Sequence, residues 1–126
     1  MSDPGTDWQI DKIVSVTDGD TVRLVRRRTT HLEGLRVDVT DSDPKGVSVR
    51  LITLDTPERG DNGWAQAADD VRLWLFGNTG RMSVTTWPDG GFGRHLGDIY
   101  VTGDRSNTLS QWMIRERGWL PYVKGT

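Results

Sequence analysis

"GWAQAADDVRLWLFGNTG", residues 63–80, decides the fold class, because it is where the apolar period changes. Trp64, Ala67, Ala68, Val71, Trp74 and Leu75 recur at i, i+3 and i+4, the spacing of an amphipathic helix, and Gly-Asn-Thr-Gly supplies a stop. Asp69 and Asp70 are expected on the solvent side. Upstream the period is two. "IDKIVSV" (10–16), "TVRLV" (21–25), "LRVDV" (35–39) and "GVSVRLITLD" (46–55) read as strands, the last most apolar and so most central. Downstream, "RMSVTTW" (81–87) and "HLGDIYV" (95–101) return to strand spacing around the Gly-rich "PDGGFG". "NTLSQWMIRERG" (107–118) then gives a second helix, opened by a capping box of Thr108 and Gln111 and closed by Gly118. Residues 1–8 read as a frayed leader. A helix interposed between runs of strands argues against a doubly wound sheet. The order fits a β-rich α+β fold instead, an OB-type five-stranded barrel with two packed helices. Without repeats or linkers, residues 1–126 form one domain with a core at about 10–122.

Bulk composition narrows the function. Twelve valines against three alanines favour strands, and the absence of cysteine excludes disulfides and Cys-based zinc sites. No apolar run approaches membrane-spanning length. "MSDPGTDWQIDK" lacks the basic start and apolar stretch of a signal peptide, so a cytoplasmic protein with no membrane partner is expected. A net charge of −2 is not that of a protein holding nucleic acid by a diffuse basic field. Thirteen arginines against three lysines nevertheless favour specific, forked contacts with phosphate or carboxylate.

Three clusters carry possible chemistry: Asp18-Gly19-Asp20-Thr21, the run from Arg50 to Glu58 (RLITLDTPE), and Phe92-Gly93-Arg94. Singly, two of them have ordinary readings. Asp-Gly between alternating strands is a hairpin tip, and Gly-Arg is a turn. In the third, Asp55-Thr56-Pro57-Glu58 ends a strand, but Arg50, a charge on a central strand, needs a partner or a solvent-filled cleft. Together the three supply the parts of a metal-assisted phosphodiester hydrolase. Two aspartates at strand ends offer oxygens to a hard cation, with a main-chain carbonyl and waters completing its shell. A glutamate three residues beyond one of them can act as general base on water. Two arginines can grip a phosphoryl group and stabilise the charge of its transition state. No nucleophilic Cys, Walker loop, GxGxxG or HExxH offers a rival, and His31 and His95 are not spaced as a ligand pair.

The ordered series "DGDTV", "VRLITLDTPE", "FGRHLGDIYV" and "LSQWMIRERGW" resembles the staphylococcal-nuclease-like (thermonuclease) family over roughly residues 10–120. The resemblance implies an OB-type barrel that cleaves DNA and RNA with Ca²⁺. Asp20 and Asp55 would be carboxylate ligands of the ion, together with the main-chain carbonyl of Thr56, and Asp18 would sit near it. Glu58 would position or deprotonate the attacking water, while Arg50 and Arg94 would bind the scissile phosphate. Phe92 keeps the ring, without the hydroxyl, of a tyrosine usual in the family, and Tyr122 corresponds to a second tyrosine at shorter spacing. An open cleft with a stacking ring suits single-stranded DNA or RNA, and a monomer is expected. Residues 26–46 exceed the usual length and are expected to extend a hairpin away from the metal, with Arg26–Arg28 at a solvated strand end in preference to a nucleic-acid backbone. The alternative is a non-catalytic OB-type module binding nucleic acid or protein; a third reading gives Ca²⁺ a purely structural role.

Overall fold

A computed structural model describes residues 4–88 and 93–122. Its elements, in chain order, are β1 (Thr6–Asp18), β2 (Thr21–Leu32), β3 (Leu35–Thr40), β4 (Val47–Leu51), β5 (Leu54–Asp55), α1 (Trp64–Gly77), β6 (Met82–Trp87), β7 (His95–Val101), β8 (Asp104–Thr108), α2 (Leu109–Arg115) and β9 (Leu120–Pro121). Five strands close on themselves in the order β1–β6–β7–β4–β2 and back to β1. The neighbours are antiparallel except for β4 and β7, which run parallel. This is the expected barrel.

Closure depends on β1, which serves two partners. Its start pairs with β6, Thr6 to Gln9 against Thr86 to Ser83, and nearly its whole length pairs with β2. Register shifts at Ile10/Lys12, Ile13/Ser15 and Val16/Asp18 interrupt that second ladder. Such bulges bend a strand and raise its twist, which lets one long strand curl around a small barrel. Side-chain space is equally tight on the parallel side. A Cβ on Gly97 would lie 2.2 Å from Val49 Cγ1, so only glycine admits this approach of β7 to β4.

Inside sit Val22, Leu24, Val49, Leu51, Val84 and Ile99, all fully buried. The helices cover the barrel with Val71, Trp74, Leu75, Leu109 and Met113, which join the same cluster. Helix α2 starts at Thr108, whose hydroxyl accepts the Gln111 N–H at 3.1 Å, half of the expected capping box. The residues beyond Arg26 do extend a hairpin: β2 and β3 pair from Arg27–Thr40 to Leu32–Leu35 across a turn with Glu33 and Gly34 at φ 51° and 82°.

Several expectations need correction. Residues 6–8 are not a frayed leader; β1 begins at Thr6, and Trp8 packs against the core. The stretch 46–55 is two strands rather than one, with a turn at Ile52–Thr53. Asp70 is buried, because its 67–70–74 spacing puts it on the same helix face as Ala67 and Trp74. Strands β8 and β9 have no apolar alternation and exist through their partners, β7 and β5.

Arg26 is buried rather than at a solvated strand end. Its guanidinium spans the barrel's end, giving Nε to Asp41 Oδ2 (3.1 Å), Nη2 to Asp41 Oδ1 (3.0 Å) and Nη1 to Thr86 Oγ1 (2.9 Å). The Trp8 ring lies 4.2 Å below it and 4.9 Å from Arg28. Burial pushes the Asp41 carboxyl up, but the hydrogen bonds and charge of Arg26 outweigh it and hold Asp41 below its ordinary 3.8. Burial and the Arg26 cation together keep His95 below its ordinary value, against a smaller opposing effect of Asp41.

Removing one partner of such a pair strands the other charge. Asp41→Ala should therefore lose about 3 kcal/mol at neutral pH, read from urea denaturation. A depressed carboxylate stabilises above its unfolded-state pKa and ceases to as pH falls through the folded-state value. The difference between wild type and Asp41→Ala should accordingly shrink below pH 3.8.

Candidate active site

The site is built where the β1–β2 turn meets the β4–β5 turn and the residue that follows it. Asp18 pairs with Thr21, which leaves Gly19 and Asp20 as the two residues of the β1–β2 turn. Asp20 is only 6% exposed and links two chain segments. Its carbonyl accepts the Leu51 N–H at 2.7 Å, extending the β2–β4 ladder past Thr21–Arg50. Its carboxylate accepts the Thr56 N–H at 3.2 Å, across 36 residues of sequence, and the Thr21 hydroxyl at 3.2 Å.

Arg50 completes the junction. Val49 and Leu51 point into the core, so alternation sends Arg50 outward, where its side chain meets the β4–β5 turn. Nη1 donates to the carbonyls of Leu51 (3.0 Å) and Leu54 (2.7 Å) and lies 3.3 Å from Asp20 Oδ2. Every one of these contacts uses Nη1. Among the described residues no hydrogen bond occupies the Nε–Nη2 edge, the fork that suits a phosphate. Arg94 immediately precedes β7, whose parallel ladder with β4 sets Val49 beside His95 and Arg50 beside Leu96. Val49 and Leu51 are buried, so Arg50 belongs to the outer face of β4, whereas Arg94 is half-buried with its Nε shielded from solvent.

The remaining candidates surround this junction unequally. Asp55 is exposed on β5, next in sequence to Thr56; Glu58 is exposed in the following loop, where its carbonyl accepts the Asp61 N–H at 2.9 Å. Neither carboxylate has a hydrogen bond or ion pair among the described residues. Asp18 is turned to the helix: its Oδ1 accepts Trp64 Nε1–H at 2.7 Å, and the same N–H lies 3.1 Å from the Thr17 carbonyl. Tyr122 reaches the site despite its shorter spacing. Its N–H donates to the Thr53 carbonyl at 3.1 Å, and its ring centroid is 5.5 Å from the Arg50 guanidinium. Phe92 lies outside the described residues.

Sequence reasoning missed two aromatic residues here. Trp64 read as a core position of the helix, yet its N–H grips the turn and its ring stacks under Arg59 at 5.3 Å. Trp119 packs beside the 57–63 loop: a Cβ on Gly63 would be 3.4 Å from Pro57 Cγ and 3.6 Å from Trp119 Cη2. The signal for Trp64 was its place at the start of the helix, directly after a loop carrying the charged residues.

Whether these residues suit a cation depends on donor chemistry. Among the described residues no three side chains of His, Cys, Asp or Glu converge, so a many-ligand protein cage is absent there. What the junction offers is oxygen: the Asp20 carboxylate, main-chain carbonyls, and the Thr56 hydroxyl, which is buried without a hydrogen-bond partner, with the exposed Asp55 next to Thr56 in sequence. All-oxygen donors fit a hard divalent ion and not a thiolate- or imidazole-seeking one.

No family model matches the chain. Two curated proteins are similar to it, an uncharacterized endonuclease of Escherichia coli O157:H7 and one of Escherichia coli. Each is 28% identical over 104 residues, which cover 82% of this chain and 55% of the relative. The chain thus spans about half the length of the curated relatives it matches.

The turn tolerates no side chain at Gly19. A Cβ there would lie 2.7 Å from Ala67 Cβ and 2.8 Å from Thr56 Oγ1. Gly19→Ala should lower stability by about 1–3 kcal/mol, the usual cost of overpacking, visible as a drop in Tm.

Proposed function

We propose that the protein is a calcium-dependent nuclease that hydrolyses phosphodiester bonds of DNA or RNA, preferring single strands. The observation that carries this reading is the Asp20 junction. One buried carboxylate ties the β1–β2 turn to Thr56 and to Arg50, whose Nε–Nη2 edge is left for an anion. An anion-binding arginine beside oxygen donors for a cation is the pairing that phosphodiester hydrolysis requires. The two E. coli relatives named endonucleases support the same chemistry.

In this reading Asp20, Asp55 and the Thr56 carbonyl hold the Ca²⁺, with Asp18 beside them. When bound, the ion supplies positive charge to the phosphoryl oxygens and lowers the pKa of nearby water. Glu58 orients the attacking water and takes its proton; its exposed carboxylate, carrying no partner among the described residues, is available for that role. Arg50, with Nη1 tethered to two carbonyls, presents its remaining edge to a non-bridging phosphate oxygen without having to be ordered first. Arg94, just ahead of β7, holds the phosphate from its other side and neutralises charge on the departing 5′ oxygen. Tyr122 and Phe92 offer rings to unstacked bases, which favours single strands over a duplex that would first have to open.

Ca²⁺ should switch on cleavage of labelled single-stranded DNA, and EDTA should abolish it. Glu58→Gln should reduce turnover by roughly 10²–10⁴-fold while leaving strand binding within about twofold. Strand binding without turnover under all Ca²⁺ concentrations, and insensitive to Asp20→Ala, would instead identify a binding module.

A further inference from the structure

The acid on helix α1 that sequence patterning assigns to solvent has an organised set of partners. Asp70 is 4% exposed. Oδ1 accepts Arg117 Nη2–H at 2.9 Å and Gln66 Nε2–H at 3.1 Å, and Oδ2 accepts Trp119 Nε1–H at 2.8 Å. Burial pushes this carboxyl up, but the bonds from Arg117, Trp119 and Gln66 together outweigh it and keep Asp70 below its ordinary value. Two of the three donors lie 47 and 49 residues away, on the segment that follows α2.

That segment ends in the candidate site. After α2 the Trp119 N–H donates back to the Met113 carbonyl at 3.1 Å, with Gly118 at φ 76° making the reversal. Leu120 and Pro121 then pair with Asp55 and Leu54, and Tyr122 N–H reaches the Thr53 carbonyl. The ladder of β5 and β9 has only two residue pairs, and Leu120 is 69% exposed. So short a ladder is weak by itself. The charged anchor lies just ahead of it.

We propose that Asp70 is a positioning residue for the candidate site. By clamping Arg117 and Trp119 it sets the path of residues 117–122, so that β9 lies along the strand bearing Asp55 and the Tyr122 ring lies against Arg50. The clamp also packs the Trp119 ring beside the 57–63 loop, which carries Glu58. The effect on substrate rests on the nuclease reading: a displaced Tyr122 weakens strand binding more than it slows the chemical step.

The chain has two tyrosines, Tyr100, which is 7% exposed, and Tyr122, which is 49% exposed. Labelling with 3-fluorotyrosine therefore gives one ¹⁹F resonance for the strap and one internal control of folding. In Asp70→Asn the Tyr122 resonance should move toward that of free fluorotyrosine while Tyr100 stays in place. Trp119→Phe, which removes one donor and keeps a ring, should shift Tyr122 in the same direction by less, and it carries the test should Asp70→Asn unfold. With single-stranded DNA and Ca²⁺, KM should rise roughly fivefold or more, the range of one lost base stack, with kcat within about twofold. Folded variants in which neither resonance moves, whatever their Tm, would overturn the proposal. Shifted Tyr122 in a protein whose wild type cleaves nothing would uphold the positioning and reject the nuclease reading alone.

Discussion

Asp20 accepts the Thr56 N–H on its side chain and the Leu51 N–H on its main chain, and these two bonds join what the barrel ladder leaves separate. The ladder of β2 and β4 ends at Thr21–Arg50, and beyond it the chain turns, makes a two-residue strand and enters a loop. A buried carboxylate with no partner would be costly there, so the segment from Leu51 to Thr56 is held by the need to satisfy it. Arg50 follows from the same constraint. Its charge is tolerated on a central strand because Nη1 satisfies two turn carbonyls and faces Asp20. The pair that makes the turn stable is also the pair that the proposed chemistry uses.

Around that junction the molecule is arranged in tethers of increasing length. Trp64 ties the first turn of α1 to Asp18 and Thr17. Asp70, further along the same helix, ties down the segment that returns to β5. One helix thus fixes both the turn and the C-terminal strap, and its apolar face buries Val71, Trp74 and Leu75 against the barrel. The barrel's opposite end is sealed differently, by Arg26, Asp41 and Thr86 beneath the Trp8 ring. A guanidinium can fill this place because its fork meets a carboxylate and a hydroxyl together while its face rests on an indole.

Periodicity made the barrel and both helices legible, since each long element buries one continuous face. The same reasoning failed where a polar residue occupies an apolar register. Asp70 falls three residues after Ala67 and four before Trp74, so its side could be read, but its partners at 117 and 119 could not. Arg26 is the same case, with Asp41 and Thr86 at 15 and 60 residues. Strands β8 and β9 carry no pattern of their own. For the candidate site, the order of short motifs named Asp20, Arg50 and Thr56 and the family resemblance added Tyr122; these four are in contact through Asp20 and Arg50. The supporting layer of Trp64, Asp70 and Trp119 was not legible, although Trp119 closes the last motif, because its bonds join residues 46 to 49 positions apart.

The proposed chemistry requires the Asp20 junction to take a cation. Isothermal titration of Ca²⁺ into the wild-type protein, alone and with a hydrolysis-resistant single-stranded oligonucleotide, tests that directly beside Asp20→Ala. It predicts one site in the wild type, tightened by the oligonucleotide, and loss of both binding and coupling in the variant. Ca²⁺ binding of equal affinity in wild type and Asp20→Ala, or no binding to the wild type even with oligonucleotide present, would contradict it.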